Sequence, residues 1–165
     1  MRNWESSRKV ASTLVLALLG LGYLVGVAKL ATSVGVAPEQ VRARYAAKPE
    51  PTGFAESLTA LLDDTPEISR EKLIHVAHTH MIPYTLVFGL CALFIVHFRW
   101  RPGARIGFMA VFALSIPLDF VSMAATRFVH PWFYMAILAS GLAFGACLAI
   151  TIFWSFFELW LAKEK

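Results

Sequence analysis

The chain has 165 residues, of which 58% are apolar and 16% are charged, and its formal net charge is +4. Its mean hydropathy is +0.61, whereas an ordinary soluble domain has about 25% charged residues. This composition excludes a disordered chain, a collagen-like chain and a disulfide scaffold. It also argues against a soluble enzyme and favours a small membrane protein.

Four long apolar segments cover residues 10–36, 73–98, 104–125 and 131–161. Each can supply the roughly 20 residues with which a helix crosses a bilayer, and none has the alternating polarity of a membrane β-strand. The connections after the second and third segments are short, which favours antiparallel neighbours. The sequence therefore predicts an all-α integral membrane protein, a single domain over residues 1–165 that folds as an up-down-up-down four-helix bundle.

The first segment follows a basic stretch and in this respect resembles a signal peptide. Its apolar part is longer than the roughly 7–15 residues of a secretory core. We therefore interpret it as a membrane anchor. Cleavage after Ala37 is the alternative, and it would leave three spans.

The basic residues indicate how the spans are oriented. One set of flanks is densely basic, whereas the outer loop at 37–72 mixes basic with acidic residues. Because basic flanks remain in the cytoplasm, both termini are predicted to be cytoplasmic. The basic residues on that side are Arg2, Arg8, Lys9, Arg99, Arg101, Arg105, Lys163 and Lys165. No stretch interleaves basic and aromatic residues as a nucleic-acid interface does, so the expected partner is the lipid bilayer and not a nucleic acid.

The outer loop contains two candidate helices. Pro38 can occupy the first position of a short helix that ends near Tyr45. Residues 54–62 carry an apolar face that would lie along the membrane surface or cap the bundle.

Small residues are placed at several points within the spans. The pairs Gly22 with Gly26 and Gly141 with Gly145 predict small faces where helices can approach closely. The two cysteines, near mid-span, are interpreted as small apolar residues; they are Cys91 and Cys147.

A first polar cluster opens the second span. At about 100° per residue, Glu71, His75 and His78 share one helix face, whereas His80 points the opposite way. Pro83 removes a helical hydrogen bond and favours a kink. A kink or a late helix start would therefore bring His78 and His80 together.

A second polar cluster forms a stripe on the third span. Ser115, Asp119, Ser122 and Thr126 fall within about 60° of each other on a helix. At 1.5 Å per residue, Asp119 lies about 10 Å below the outer edge, at a depth similar to that of His80.

A third cluster lies at the cytoplasmic end. Thr151, Ser155 and Glu158 share one face of the fourth span, and His97 and Arg99 lie near the same level. We interpret this cluster as an ordinary ion pair between the glutamate and an arginine.

The outer histidines are candidates for a cofactor site, because imidazole is the commonest transition-metal ligand and also binds haem iron. The candidate ligands for copper or zinc are Glu71, His75, His78 and His80. The candidate residues around a b-type haem are His78, His80, His130 and Tyr84, with room from Gly89, Gly141 and Gly145.

Three further residues would support such a site. Asp119 would orient a histidine, and Arg127, on the outer rim beside His130, would tune the local charge. Ser122 would help to hold or pass a proton.

The leading hypothesis is a membrane subunit that binds haem b or a transition metal near its outer face, transfers electrons, and works with a membrane or periplasmic protein partner. A second hypothesis is a non-enzymatic assembly subunit, in which His80 hydrogen-bonds to Asp119 and Arg127 neutralises that carboxylate. A third is a quinone-binding or proton-handling subunit, in which His80 and Asp119 exchange protons.

Four short motifs resemble those of a set of small four-span bacterial membrane proteins. The motifs are His78-Thr79-His80, Leu118-Asp119-Phe120, Thr126-Arg127-Phe128-Val129 and Phe157-Glu158-Leu159-Trp160. The similar proteins carry His-Ala-His at the start of the second span, Asp-Ile-Ala-Ser followed by Thr-Arg-Tyr-Val, and a Tyr-Glu-Leu-Trp end. The resemblance covers most of the chain and implies a protein of the bacterial inner membrane.

The resemblance implies candidate positions and carries no established activity or cofactor. Here Thr79 replaces the usual alanine, and His75 and His130 are additions. A site that requires all four outer histidines would therefore not be general to these proteins.

Overall fold

A computed structural model describes residues 2–33, 37–46 and 70–161. These described residues form five α-helices and one short 3₁₀ turn, and they include no strand. The helices are α1 (Arg2–Ser33), α2 (Pro38–Tyr45), α3 (Arg70–Ile95), α4 (Pro102–Phe128) and α5 (Tyr134–Trp160), and the 3₁₀ turn is Pro131–Phe133. This architecture confirms the all-α prediction.

Four of the helices are long and apolar enough to cross a membrane. Their spans are Ser6–Lys29, Leu73–Ile95, Pro102–Phe128 and Pro131–Trp160. The second span ends at Ile95 rather than Phe98, because residues 96–101 form a turn. The third span is longer than the apolar segment at 104–125 from which it was predicted. Pro102 suits the first turn of a helix, and helical hydrogen bonding continues through the polar residues at both ends.

The helices alternate in direction, as an up-down-up-down bundle requires. Thr13 and Tyr23 of α1 meet Trp160 and Gly145 of α5, so these two helices are antiparallel. The short turns at 96–101 and 129–133 reverse the chain between α3, α4 and α5. We call the end with α2 and residues 129–133 the loop end, and the end with residues 96–101 the terminal end.

Helix α5 is the centre of the bundle, because it packs against α1, α2, α3 and α4. Helix α1 lies on the outside and packs against α5. A Cβ atom on Gly145 would lie 3.2 Å from the hydroxyl of Tyr23. The close approach predicted for Gly145 is therefore confirmed, whereas a Cβ on Gly22, Gly26 or Gly141 would meet no atom of the structure within 4 Å.

Aromatic rings fill the middle of the bundle. Phe112 is completely buried, and its ring centroid lies 5.5 Å from Phe88 and 5.2 Å from Phe144. Cys91 and Cys147 are buried in the same apolar core, which agrees with their interpretation as small apolar residues.

The polar cluster at the terminal end joins a turn to α5. The Glu158 carboxylate accepts hydrogen bonds from the Arg99 backbone N–H at 2.9 Å and from Trp154 Nε1 at 2.7 Å. His97 Nδ1, in the turn, lies 2.8 Å from the Leu93 carbonyl of α3. The glutamate therefore joins α5 to the turn between α3 and α4 through a backbone amide, a contact that charge pairing alone does not predict.

Candidate functional site

Asp119 is the centre of the polar site at the loop end. Its Oδ1 atom accepts a hydrogen bond of 2.9 Å from Ser140 Oγ of α5. Ser140 is 1% exposed, and its hydroxyl also lies 3.0 Å from the Ile137 carbonyl. This partner was not predicted from the sequence. The sequence does contain an indication of this hydrogen bond. Asp119 and Ser140 are about equally far along the chain from the turn that joins α4 to α5, so they lie at the same level of the bundle.

Two tyrosines lie within the electrostatic influence of the same carboxylate. The Tyr84 ring is stacked on Phe144 with centroids 4.9 Å apart, and its phenol lies within the electrostatic influence of Asp119. Tyr45 of α2 lies within the influence of the same charge. Asp119, Ser140, Tyr84 and Tyr45 together form what we call the Asp119 cluster.

Helix α2 brings Tyr45 to this cluster. The Ala37 N–H donates to Gln40 Oε1 at 3.2 Å at the start of the helix, and Val41 is buried against α3, α4 and α5. The short helix predicted in the outer loop is thus confirmed, although its contribution to the site was not predicted. The second candidate segment, 54–62, lies outside the described residues.

The pKa of the Tyr45 phenol is raised from its ordinary value of 10.0, chiefly because burial disfavours the phenolate. The cation of Arg44 opposes this shift, and the negative charge of Asp119 adds to it. Tyr45 therefore stays protonated at neutral pH, and its hydroxyl can donate a hydrogen bond.

The polar stripe on α4 faces the bundle interior, as predicted. Ser115, Ser122 and Thr126 are all buried. Ser115 and Thr126 hydroxyls donate to carbonyls of their own helix, each at 2.7 Å. The buried Ser122 hydroxyl has no hydrogen-bond partner among the residues that the structure describes.

The residues predicted as metal ligands lie on the surface of α3. Glu71, His75, His78 and His80 are all exposed. A late helix start is wrong as a way to join His78 with His80, because α3 begins at Arg70. Among the described residues, no group of three or more His, Cys, Asp or Glu side chains could hold a metal ion.

His80 contacts the Asp119 cluster through an aromatic ring. Its ring centroid lies 6.0 Å from that of Tyr84. Among the described residues, the hydrogen bond to Asp119 comes from Ser140 rather than from His80. A direct bond between His80 and Asp119 is therefore replaced by an arrangement in which Tyr84 lies between them.

His130 and the glycines have local structural roles. His130 Nδ1 accepts a hydrogen bond of 3.2 Å from the Trp132 N–H and so caps the 3₁₀ turn. Gly89 and Gly141 are exposed on the outside of the bundle, whereas the space beside Gly145 is taken by Tyr23.

The fold and the Asp119 cluster define a polytopic α-helical membrane protein with a polar site at one end of its bundle. Residues 35–165 match the Aq_1264_TM family, described as a transmembrane helical domain, and the chain belongs to this family. The match begins just before α2, so it includes the whole Asp119 cluster. No curated protein and no solved structure matches the chain.

Proposed function

We propose that the protein is a membrane subunit that takes up and releases protons at its loop end, with Asp119 as the proton acceptor. The observation that best supports this function is a half-buried carboxylate inside a membrane span, hydrogen-bonded to Ser140 and within the electrostatic influence of two tyrosines. Ionisable side chains inside spans are costly, and chains of them are typical of proton pathways.

The proposed path begins at the surface of α3. His80 is exposed, and the two ring nitrogens of an imidazole can donate and accept protons. The next group is Tyr84, whose ring is the neighbour of His80 and which lies within the electrostatic influence of Asp119. The buried Ser122 hydroxyl, about one helical turn from the carboxylate on α4, provides a further polar group on the way to the loop end.

Infrared spectroscopy of the protein in liposomes tests this function. The difference spectrum between high and low pH should contain a carboxylic acid C=O band that is lost in Asp119→Asn. The same band should shift in Ser140→Ala, because that substitution removes the hydrogen bond to the carboxylate.

Ser115→Ala is the matched control. Ser115 is buried one turn earlier on α4, and its hydroxyl bonds to the carbonyl of Phe112 in the same helix. The band should be unchanged in this variant. A band that persists in Asp119→Asn would place the titrating carboxyl elsewhere and would refute the proposal.

Binding of haem or of copper or zinc for electron transfer is the second candidate function. The observation that favours it is the exposure of His78 and His80, which leaves both imidazoles accessible at the loop end. An absorption spectrum of the purified protein, oxidised and reduced, with elemental analysis of the same sample, tests it. A Soret band or stoichiometric metal that is lost in His80→Ala would support this function, and a colourless, metal-free protein would contradict it.

A further inference from the structure

An apolar groove runs between α1 and α5 within the membrane-spanning part of the protein. Its volume is about 600 Å³, which is within the range of roughly 300–1,000 Å³ for ligand pockets. Leu16, Gly20 and Leu24 of α1 and Ile152 and Phe156 of α5 are among the residues that line it. Among the described residues of α1, Leu16 is the apolar residue that is buried. Much of the interface between α1 and α5 is therefore open groove rather than packed side chains.

The groove has a polar boundary at the terminal end of the bundle. Trp160 Nε1 donates a hydrogen bond of 3.0 Å to Thr13 Oγ1, which joins the two helices there. Tryptophan prefers the interface between membrane and water, so this bond marks the headgroup level. Lys9 is exposed one turn further out, on the same face of α1 as Thr13 and Gly20.

The terminal end of the bundle is positively charged. The basic side chains described at the terminal end are Arg8, Lys9, Arg99, Arg101 and Arg105. Glu158 is the acidic side chain described at this end, and its carboxylate is bonded to the Arg99 amide and Trp154. Basic sites beside membrane helices favour anionic headgroups.

We propose that this groove binds an anionic phospholipid, with an acyl chain between α1 and α5 and the headgroup phosphate at Lys9. The apolar lining and the volume suit a hydrocarbon chain, and the single lysine above the groove suits a phosphate. The lipid fills the gap beside Leu16 and so helps to attach α1 to the bundle. The inference is independent of the proposed proton-handling function, because the groove and the Asp119 cluster share no residue.

Native mass spectrometry of the full chain, with phosphatidylglycerol and phosphatidylcholine as probes, tests the proposal. Wild type should retain phosphatidylglycerol about fivefold more than phosphatidylcholine, the ratio that corresponds to about 1 kcal/mol for one basic residue near a membrane surface. Lys9→Gln should abolish this preference. Gly20→Leu should lose both lipids, because a side chain at this position meets open space and would fill the groove.

Lys29→Gln and Gly26→Leu are matched controls on the same helix. Both positions are exposed and neither lines the groove, so both variants should bind lipid as wild type does. Equal retention of the two lipids by wild type, or an unchanged preference in Lys9→Gln, would overturn the proposal. A wild-type dimer that dissociates in Gly20→Leu would also overturn it, in favour of a second copy as the occupant.

Discussion

Replacing Phe112 by alanine is expected to lower the free energy of unfolding by about 3–5 kcal/mol, because the loss of a buried phenyl ring leaves a cavity. The ring is completely buried and is surrounded by Phe88, Phe108 and Phe144. Inside a membrane the dispersion contacts between these rings are the main stabilising term, since lipid tails reduce the gain from burial itself. Unfolding in mixed micelles with increasing denaturing detergent measures the change.

Leu114→Ala is the matched control for this substitution. Leu114 lies on the same helix, but 65% of its surface is exposed on the outside of the bundle. Its truncation should change the free energy of unfolding by less than about 1 kcal/mol, because few contacts within the protein are lost. Equal effects of the two substitutions would contradict the packing described for the core.

Replacing Gly145 by leucine is expected to displace α1 from α5 and to destabilise the protein by about 1–3 kcal/mol, the usual cost of overpacking. The first atom of the new side chain would already lie 3.2 Å from the Tyr23 hydroxyl. Thermal unfolding by circular dichroism in micelles measures the loss. Hydrogen exchange should be faster in α1 while the core of α4 stays protected.

Two further variants separate this contact from a general effect on helix α5. Gly141→Leu, one turn away, places the same side chain on an exposed position where no atom lies within 4 Å of the new Cβ, and it should leave stability unchanged. Gly145→Leu combined with Tyr23→Ala should recover part of the loss, because the leucine then occupies the space of the ring. A destabilised Gly141→Leu, or no recovery in the double variant, would exclude the contact as the cause.

The membrane fold was predictable because span length is a strong constraint. An apolar stretch must be about 20 residues long to cross a bilayer as a helix, and short connections allow only antiparallel neighbours. The first and last residues of each helix were less predictable, because hydrophobicity does not indicate where helical backbone hydrogen bonding ends. Helix α4 therefore continues to Phe128, beyond the last residue of its apolar stretch.

The polar stripe on α4 was predictable for a related reason. Polar side chains inside a span avoid lipid, so their common face had to be the inner one. The hydrogen bond from Ser140 to Asp119 was not predicted, because it depends on the rotation of α5 about its axis. The contribution of Tyr45 was also not predicted, since it requires α2 to fold back over the bundle.

The central position of α5 has a consequence for how the protein is made. Synthesis proceeds from the amino terminus, and α5 is the last described helix to leave the ribosome and enter the membrane. Helix α1 enters the membrane before α5, but its principal contact surface is on α5. It therefore stays in the bilayer without this neighbour until α5 is inserted, and its packing onto α5 is a late step in assembly.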